Sequence, residues 1–313
     1  MRFTKMHGIG NDYVYIDGAQ HAGLDFARAA RMVSDRHRAI GADGLIVVCP
    51  PSTAAADVRM RMFNADGSEG EMCGNGIRCV AKYAVDRAIA AANPLRVETG
   101  RGILEVSWSR DGSGRVASAS VAMGAPILAH AAIPARVDGV AADARVIAHA
   151  VDLSRWGEDD WWRAAKVEPH VTLVSMGNPH AVFCCAEPDL VPLERVGPRI
   201  ERDPWFPARI NAHFVRFDGS RAAMRTWERG SGITLACGTG ASAVCVAGVL
   251  LGRGSRDLEV TLPGGVLRLE WPRAQQEESA GVRMTGPATE VFEGEVDLRA
   301  LAGVVDRMGV QHA

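Results

Sequence analysis

Lysine is scarce in this sequence. The basic residues are almost all arginine, and lysine occurs at Lys5, Lys82 and Lys166 alone. Few side chains could therefore form a Schiff base. Cysteine shows no framework. The seven, Cys49, Cys73, Cys79, Cys184, Cys185, Cys237 and Cys245, include no C-x-x-C pair, so neither a disulfide network nor a metal site is expected. Positive charge is not in excess: 35 basic and 37 acidic residues give a formal net charge of −2, which argues against a nucleic-acid partner. Long apolar runs are missing too. The longest, around residues 241–251, falls short of the roughly 18–20 residues that span a bilayer. The opening, MRFTKMHGIGNDY, has no apolar stretch of the signal-peptide kind. A cytoplasmic protein with no membrane partner is expected. What is present is ordinary for a globular chain, 47% hydrophobic and 23% charged, which excludes disorder and fibres. At 313 residues it exceeds the about 200–250 of one compact domain, and two lobes are predicted.

Periodicity places strands at residues 3–7, 13–16, 44–48 and 58–63, and a helix over 25–37. A Gly-rich loop, FNADGSEGEMCGNG, leads into an amphipathic helix that carries Ile77, Val80, Ala84 and Val85 and is expected to run to Asn93-Pro94. Strands follow at 102–108 and 116–121. The segment 129–170 has little pattern, and its Trp156, Trp161 and Trp162 read as a local core. Further strands are expected at 171–174, 181–185, 213–217 and 222–227. A second Gly-rich loop, ERGSGITLACGTG, precedes a helix through Val244, Val246, Ala247 and Leu250. From Leu258 onward the chain reads as short strands and turns.

The two loops answer each other. Phe63 to Gly76 and Trp227 to Gly240 share an aromatic, a polar residue, a Gly-rich stretch, a C-G-x-G turn and an apolar helix, in that order. Upstream, Gly10-Asn11-Asp12 matches Gly177-Asn178-Pro179 at nearly the same offset. Two homologous lobes related by a pseudo-twofold axis explain this.

A C-G-x-G turn before a helix has a definite chemistry. The first N–H groups of the helix lack intrahelical partners and, with the dipole, favour an anion. A carboxylate could sit at Gly74-Asn75 and at Gly238-Thr239. The same field favours a thiolate, so Cys73 and Cys237 are expected to titrate below the usual thiol value of about 8.5. A pseudo-twofold axis would set the two thiols on opposite sides of one substrate carbon. That arrangement suits racemisation, in which one sulfur removes a proton and the other returns one.

At these residues the sequence resembles diaminopimelate epimerase. The likeness runs through KMHGIGNDYVYID, FNADGSEGEMCGNGIRC, SMGNPHAV, ERGSGITLACGTGAS, and LPGG followed by MTGPATEVFEG. It implies an α/β (α+β) fold of two pseudo-symmetric lobes, each a curved, mostly antiparallel sheet around a central helix. The lobes are expected at 1–124, with 288–313 returning to it, and at 125–287. It implies a pyridoxal-independent, cytoplasmic isomerase that needs no cofactor or metal, interconverts LL- and meso-diaminopimelate for lysine and cell-wall synthesis, and forms a homodimer.

By the resemblance, Cys73 and Cys237 are the catalytic thiols. Gly74, Asn75, Gly238 and Thr239 hold the reacting carboxylate. Asn11, Asn64, Asn178, Asn211 and Arg229 bind the ammonium and carboxylate ends. Glu228 contacts substrate, and with His180 it tunes the thiols. Two departures stand out. A substrate-contacting glutamine of some members falls at Gly44, leaving that contact absent or to water. Ile233 replaces a common Glu, with an expected effect on loop packing and not on chemistry.

Other readings compete. The asparagines and His180 could be turn residues, and Arg229 and Glu228 solvated surface charges. The remaining cysteines are expected to be buried structural thiols. For the whole chain, the rivals are a proline or hydroxyproline racemase of the same fold, a cysteine-nucleophile hydrolase, or a non-catalytic anion-binding module.

Overall fold

A computed structural model describes residues 1–273 and 279–305. Residues 274–278, in the expected strand-and-turn tail, and 306–313, in the expected returning segment, lie outside the described residues. The chain divides into two compact units: Met1–Val121 with Gly286–Ala313, and Ala122–Thr285.

The first unit opens with strands β1 (Arg2–Gly8) and β2 (Asn11–Asp17), paired antiparallel. Helix α1 (Phe26–Ser34) follows, with Asp25 at its N-cap accepting from Arg28 N. It buries Ala29, Ala30 and Val33 against Leu45, Val47 and Phe63. It stops three residues short of the expected end because Asp35 turns extended and its carboxylate takes the N–H groups of His37 and Arg38. Strand β3 (Gly44–Cys49) runs parallel to β2, and β4 (Val58–Asn64) runs antiparallel to β3.

After a short strand, β5 (Glu69–Gly70), helix α2 (Gly74–Asp86) begins. It ends well before Asn93-Pro94. Ala88 adopts a left-handed φ of 55°. Its N–H bonds Val85 O, and Ile89 N bonds Ala84 O. This is a Schellman stop built on alanine, which a scan for glycine or proline does not see. The chain then forms β6 (Leu95–Thr99), a strand that the pattern did not separate from the loop before it. Strand β7 (Gly102–Arg110) and β8 (Val116–Gly124) follow as antiparallel neighbours.

The second unit is built in the same way. The segment 129–170 contributes β9 (His149–Ala150) and the short helix α3 (Trp162–Ala165). It forms a true local core: Trp156 and Trp161 are buried with Phe183 and Phe214, and Trp162 packs against them half-buried. Strands β10 (His170–Ser175) and β11 (Pro179–Cys184) pair antiparallel. Helix α4 (Leu193–Glu201), missed by the periodicity, precedes β12 (Asn211–Glu228). The two strands expected here are the two arms of β12. One lies parallel to β11 and the other parallel to the strand Gly254–Leu262, with Gly219 at φ 60° between them. Next come β13 (Gly232–Ile233), α5 (Gly238–Leu250), β14 (Gly254–Leu262), β15 (Gly265–Glu270) and β16 (Val282–Pro287). The chain then returns to the first unit as β17 (Thr289–Glu295), antiparallel to β1, and α6 (Leu298–Val305).

Each unit is a mixed sheet curled about one helix. Helix α2 touches β1, β2, β3, β4 and β7, and α5 touches β10, β11, β12, β14 and β15. That demands burial on every side. Residues Asn75 to Val85 of α2 and Gly238 to Gly248 of α5, Thr239 excepted, are all buried. The pairing series repeats as well. An antiparallel pair and a parallel neighbour open both units, and a parallel pair followed by two antiparallel ones closes both. At the opening turns Gly10 and Gly177 take φ values of 90° and 91°, a conformation that glycine adopts without steric cost.

Candidate active site

In the first unit Cys73 is the N-cap of α2, and its sulfur accepts from Gly76 N at 3.4 Å. The thiol donates to Asn11 Oδ1 at 3.1 Å, and Asn11 Nδ2 donates to Asp43 Oδ2 at 2.7 Å. Asn11 and Cys73 thus meet although 62 residues separate them. Tyr13, one residue beyond Asp12, is buried beside them. Burial, with Cys73 and Asp43 nearby, pushes its phenol far above the ordinary value. Asn75 is buried and its Oδ1 accepts from Arg78, whose guanidinium also bonds Gly74 O and Pro287 O. Arg78 is fully buried. It braces the carbonyl side of the Gly74-Asn75 turn. Asn64 ends β4 and bonds Ser68 Oγ at 3.0 Å.

Position 44 offers no room for the glutamine that the resemblance would place there. A Cβ there would lie 2.1 Å from Phe63 O. Gly44 is a packing requirement of the β3–β4 pair.

In the second unit Cys237 is the N-cap of α5. Contrary to the helix-start expectation, its thiol is pushed well above the ordinary value. Burial is the largest cause and the Glu228 carboxylate the next, outweighing the pull of Gly240 N–H and Thr239. Removal from water penalises a thiolate more than one helix end favours it. Thr239 Oγ1 lies 3.7 Å from Cys237 Sγ and accepts from Asn178 Nδ2 at 3.3 Å. Asn178 Oδ1 meets His180 Nε2 at 3.0 Å. His180 is completely buried, and burial, then His213 and Arg229, depress its pKa far below that of free imidazole. Gly238 is buried at the first helical position.

Asn211 serves the backbone here: Nδ2 donates to Pro179 O at 2.7 Å, and Oδ1 accepts from Arg229 N at 2.9 Å. That ties β11, β12 and the start of the Gly-rich loop together. Arg229 is exposed, with Nη1 on Ala208 O at 2.9 Å. Glu201, not singled out by the sequence, supports the same loop from α4. It accepts from Trp227 Nε1 at 2.7 Å and from Gly230 N at 3.2 Å. Ile233 packs on the neighbouring core, as its apolar character predicts. Cys79, Cys184, Cys185 and Cys245 are buried, whereas Cys49 is half-buried. Asp43, His213 and Glu201 carry no motif in the sequence, and Arg78 lies inside the FNADGSEGEMCGNGIRC stretch with no local sign of its role. Each is a single polar residue within a strand, helix or turn, and only long-range contact reveals it.

The chain matches the family model described as diaminopimelate epimerase over residues 3–129 and 172–291; the unmatched stretch between them is the Trp-containing segment. It is 48% identical to the diaminopimelate epimerase of Acetivibrio thermocellus over 303 residues, covering 96% of this chain and 100% of that one. It is 47% identical to that of Desulfovibrio desulfuricans over 298 residues, covering 94% and 98%. Among solved structures, a phenazine biosynthesis protein from Bacillus anthracis superposes with a TM-score of 0.65 at 17% identity, over 95% of this chain and 99% of that one. A probable proline racemase from Agrobacterium radiobacter superposes at 0.63 and 14%, over 95% and 93%. These two likenesses show the fold. Among the described residues no helix is long and apolar enough to cross a membrane. With the matched family model covering most of its length, and both loop cysteines heading the helices that organise their units, this chain belongs to the diaminopimelate epimerase family.

Proposed function

We propose that the protein interconverts LL- and meso-diaminopimelate by a two-base transfer at the α-carbon, without pyridoxal phosphate or metal. One sulfur, as thiolate, takes the α-proton. The electron pair left on carbon delocalises into the adjacent carboxylate. The other sulfur, as thiol, returns a proton to the opposite face. Cys73 and Cys237 are the two thiols. The N–H groups at Gly74-Asn75 and Gly238-Thr239 take the reacting carboxylate, whose charge grows in the transition state and which fixed dipoles stabilise without reorganising. The observation that carries this reading is the repeat of one device: a cysteine N-cap on the buried helix of each unit. Glu228 is the acceptor toward which the Cys237 thiol gives its proton before that sulfur can act as base. Asn64, Asn211 and Arg229 bind the distal end, with Asn211 acting through the loop it holds. A cytoplasmic homodimer completes the proposal and rests on the resemblance; light scattering of the purified protein tests the stoichiometry.

The test is incubation with LL-diaminopimelate in deuterium oxide without added cofactor. Stereochemical inversion with α-deuterium incorporation is expected. Recovery of unlabelled LL isomer alone overturns the proposal, and a thioester trapped by acid would replace it with the hydrolase reading.

A further inference from the structure

Beneath Cys237 lies a line of polar side chains joined end to end. Thr226 Oγ1 is 2.9 Å from His213 Nδ1. His213 Nε2 is 2.9 Å from His180 Nδ1. His180 Nε2 reaches Asn178 Oδ1, Asn178 Nδ2 reaches Thr239 Oγ1, and Thr239 Oγ1 faces Cys237 Sγ. His180, His213 and Thr226 are buried.

Both rings are neutral at working pH. Burial lowers His213 to about 3 and His180 well below its ordinary value. The charged or titratable neighbours are Arg229, acting on His180, and Glu228, acting on Cys237. A neutral imidazole has one donor and one acceptor. A line of such groups can therefore point only one way from end to end. The Asn178 amide, as the structure holds it, shows which way. Its Oδ1 accepts, so His180 carries hydrogen on Nε2 and its Nδ1 must accept. His213 then donates from Nε2 and accepts at Nδ1 from the Thr226 hydroxyl. At the other end Asn178 donates to Thr239, whose own hydroxyl hydrogen is left for the sulfur.

We propose that His213 is a positioning residue: with Thr226 it locks the tautomer of His180, and so holds Asn178 turned so that the Thr239 hydroxyl hydrogen points to Cys237 Sγ. This rests on the reading of Cys237 as a reacting thiol. The residue acts through three others and touches no substrate. Without the donor at His180 Nδ1, the ring is free to move its hydrogen to that nitrogen. Asn178 can then turn its amide over and take the Thr239 hydrogen for itself. The Cys237 thiolate loses one donor, and its formation becomes less favourable.

The experiment compares wild type, His213→Leu, His213→Gln and Thr226→Val. Alkylation of Cys237 by iodoacetamide is followed by peptide mass spectrometry across pH, with Cys73 as the internal reference. A hydrogen bond to a charged group is worth enough that alkylation of Cys237 in His213→Leu should be about tenfold slower at a fixed pH, with Cys73 unaffected. His213→Gln should recover most of the rate, because its amide can donate to His180. Thr226→Val, close in volume, should show a smaller loss in the same direction. In turnover, kcat should fall and KM should stay. Nitrogen NMR of labelled histidine should find both rings as neutral Nε2–H tautomers. A Cys237 profile in His213→Leu that coincides with wild type overturns the proposal. So does a His213→Gln as slow as His213→Leu, or an Nδ1–H tautomer at either ring. Should His213→Leu not fold, an unchanged Cys237 profile in Thr226→Val overturns it alone. Alkylation and NMR need no turnover. A wild-type protein that fails to exchange the α-proton therefore defeats the reaction and leaves this test standing.

Discussion

Cys73 donates its thiol hydrogen to Asn11 Oδ1 across 3.1 Å, and Asn11 cannot choose which end of its amide it presents. Asp43 Oδ2 accepts from Asn11 Nδ2 at 2.7 Å and from Asp12 N at 3.1 Å. A carboxylate takes only donors, so the amide oxygen is the end left for the sulfur. Asp43→Ala should release the amide and misplace the acceptor. A charge-assisted hydrogen bond contributes roughly 1.5–3 kcal/mol, and kcat/KM for α-deuterium exchange should drop at least about tenfold. An unaltered kcat/KM would show that Asn11 is held by other means.

Cys73→Ala and Cys237→Ala should each abolish epimerisation, because each mutant keeps a base for one face only. Circular dichroism of each substrate isomer with time, beside deuterium exchange, reads the two half-reactions separately. Substantial epimerisation by either mutant refutes two-base chemistry.

Glu228→Gln should make Cys237 react faster with iodoacetamide near neutral pH. Burial and then the carboxylate raise this thiol. Removing the charge lowers its pKa, and below that pKa the thiolate fraction grows as the pKa falls. Turnover should fall in the same mutant, since the group that receives the thiol proton is gone. Alkylation no faster than wild type would place the Glu228 charge elsewhere.

Arg229→Lys should lose about tenfold or more in kcat/KM. A guanidinium matches a carboxylate through two parallel hydrogen bonds, whereas an ammonium is a point charge. Arg229 spends Nη1 on Ala208 O, and the rest of its fork is open to a ligand. Steady-state rates at several substrate concentrations should place the loss in KM. Equal KM values would remove Arg229 from substrate binding.

Gly44→Gln should destabilise the protein and restore no contact. The new Cβ would meet Phe63 O at 2.1 Å, so β3 and β4 must part. Overpacking of this kind costs about 1–3 kcal/mol, visible as a lower urea midpoint. A midpoint equal to wild type would mean that the strand pair yields freely.

The sequence by itself determined the parts that repeat or alternate. The two C-G-x-G turns, the strand before and the helix after each Gly-rich loop and the core role of Trp156 and Trp161 follow from local pattern. Hydrophobic period and glycine conformation act over a few residues. The boundaries were less legible. α2 stops at Asp86 because Ala88 takes a left-handed turn, and alanine carries no sign of that. β6 and α4 were too short, or too polar on one face, to separate from their surroundings. Tertiary structure alone decided the chemistry around the sulfurs. Asp43 behind Asn11, Arg78 beneath the first turn and His213 behind His180 are brought in by strand pairing and helix burial, not by spacing. Tertiary structure also reversed one expectation. A helix start favours a thiolate wherever it occurs, but how far Cys237 is removed from water, and how near Glu228 stands, are properties of the folded packing. Desolvation depends on every neighbour at once, and no window of sequence contains them all.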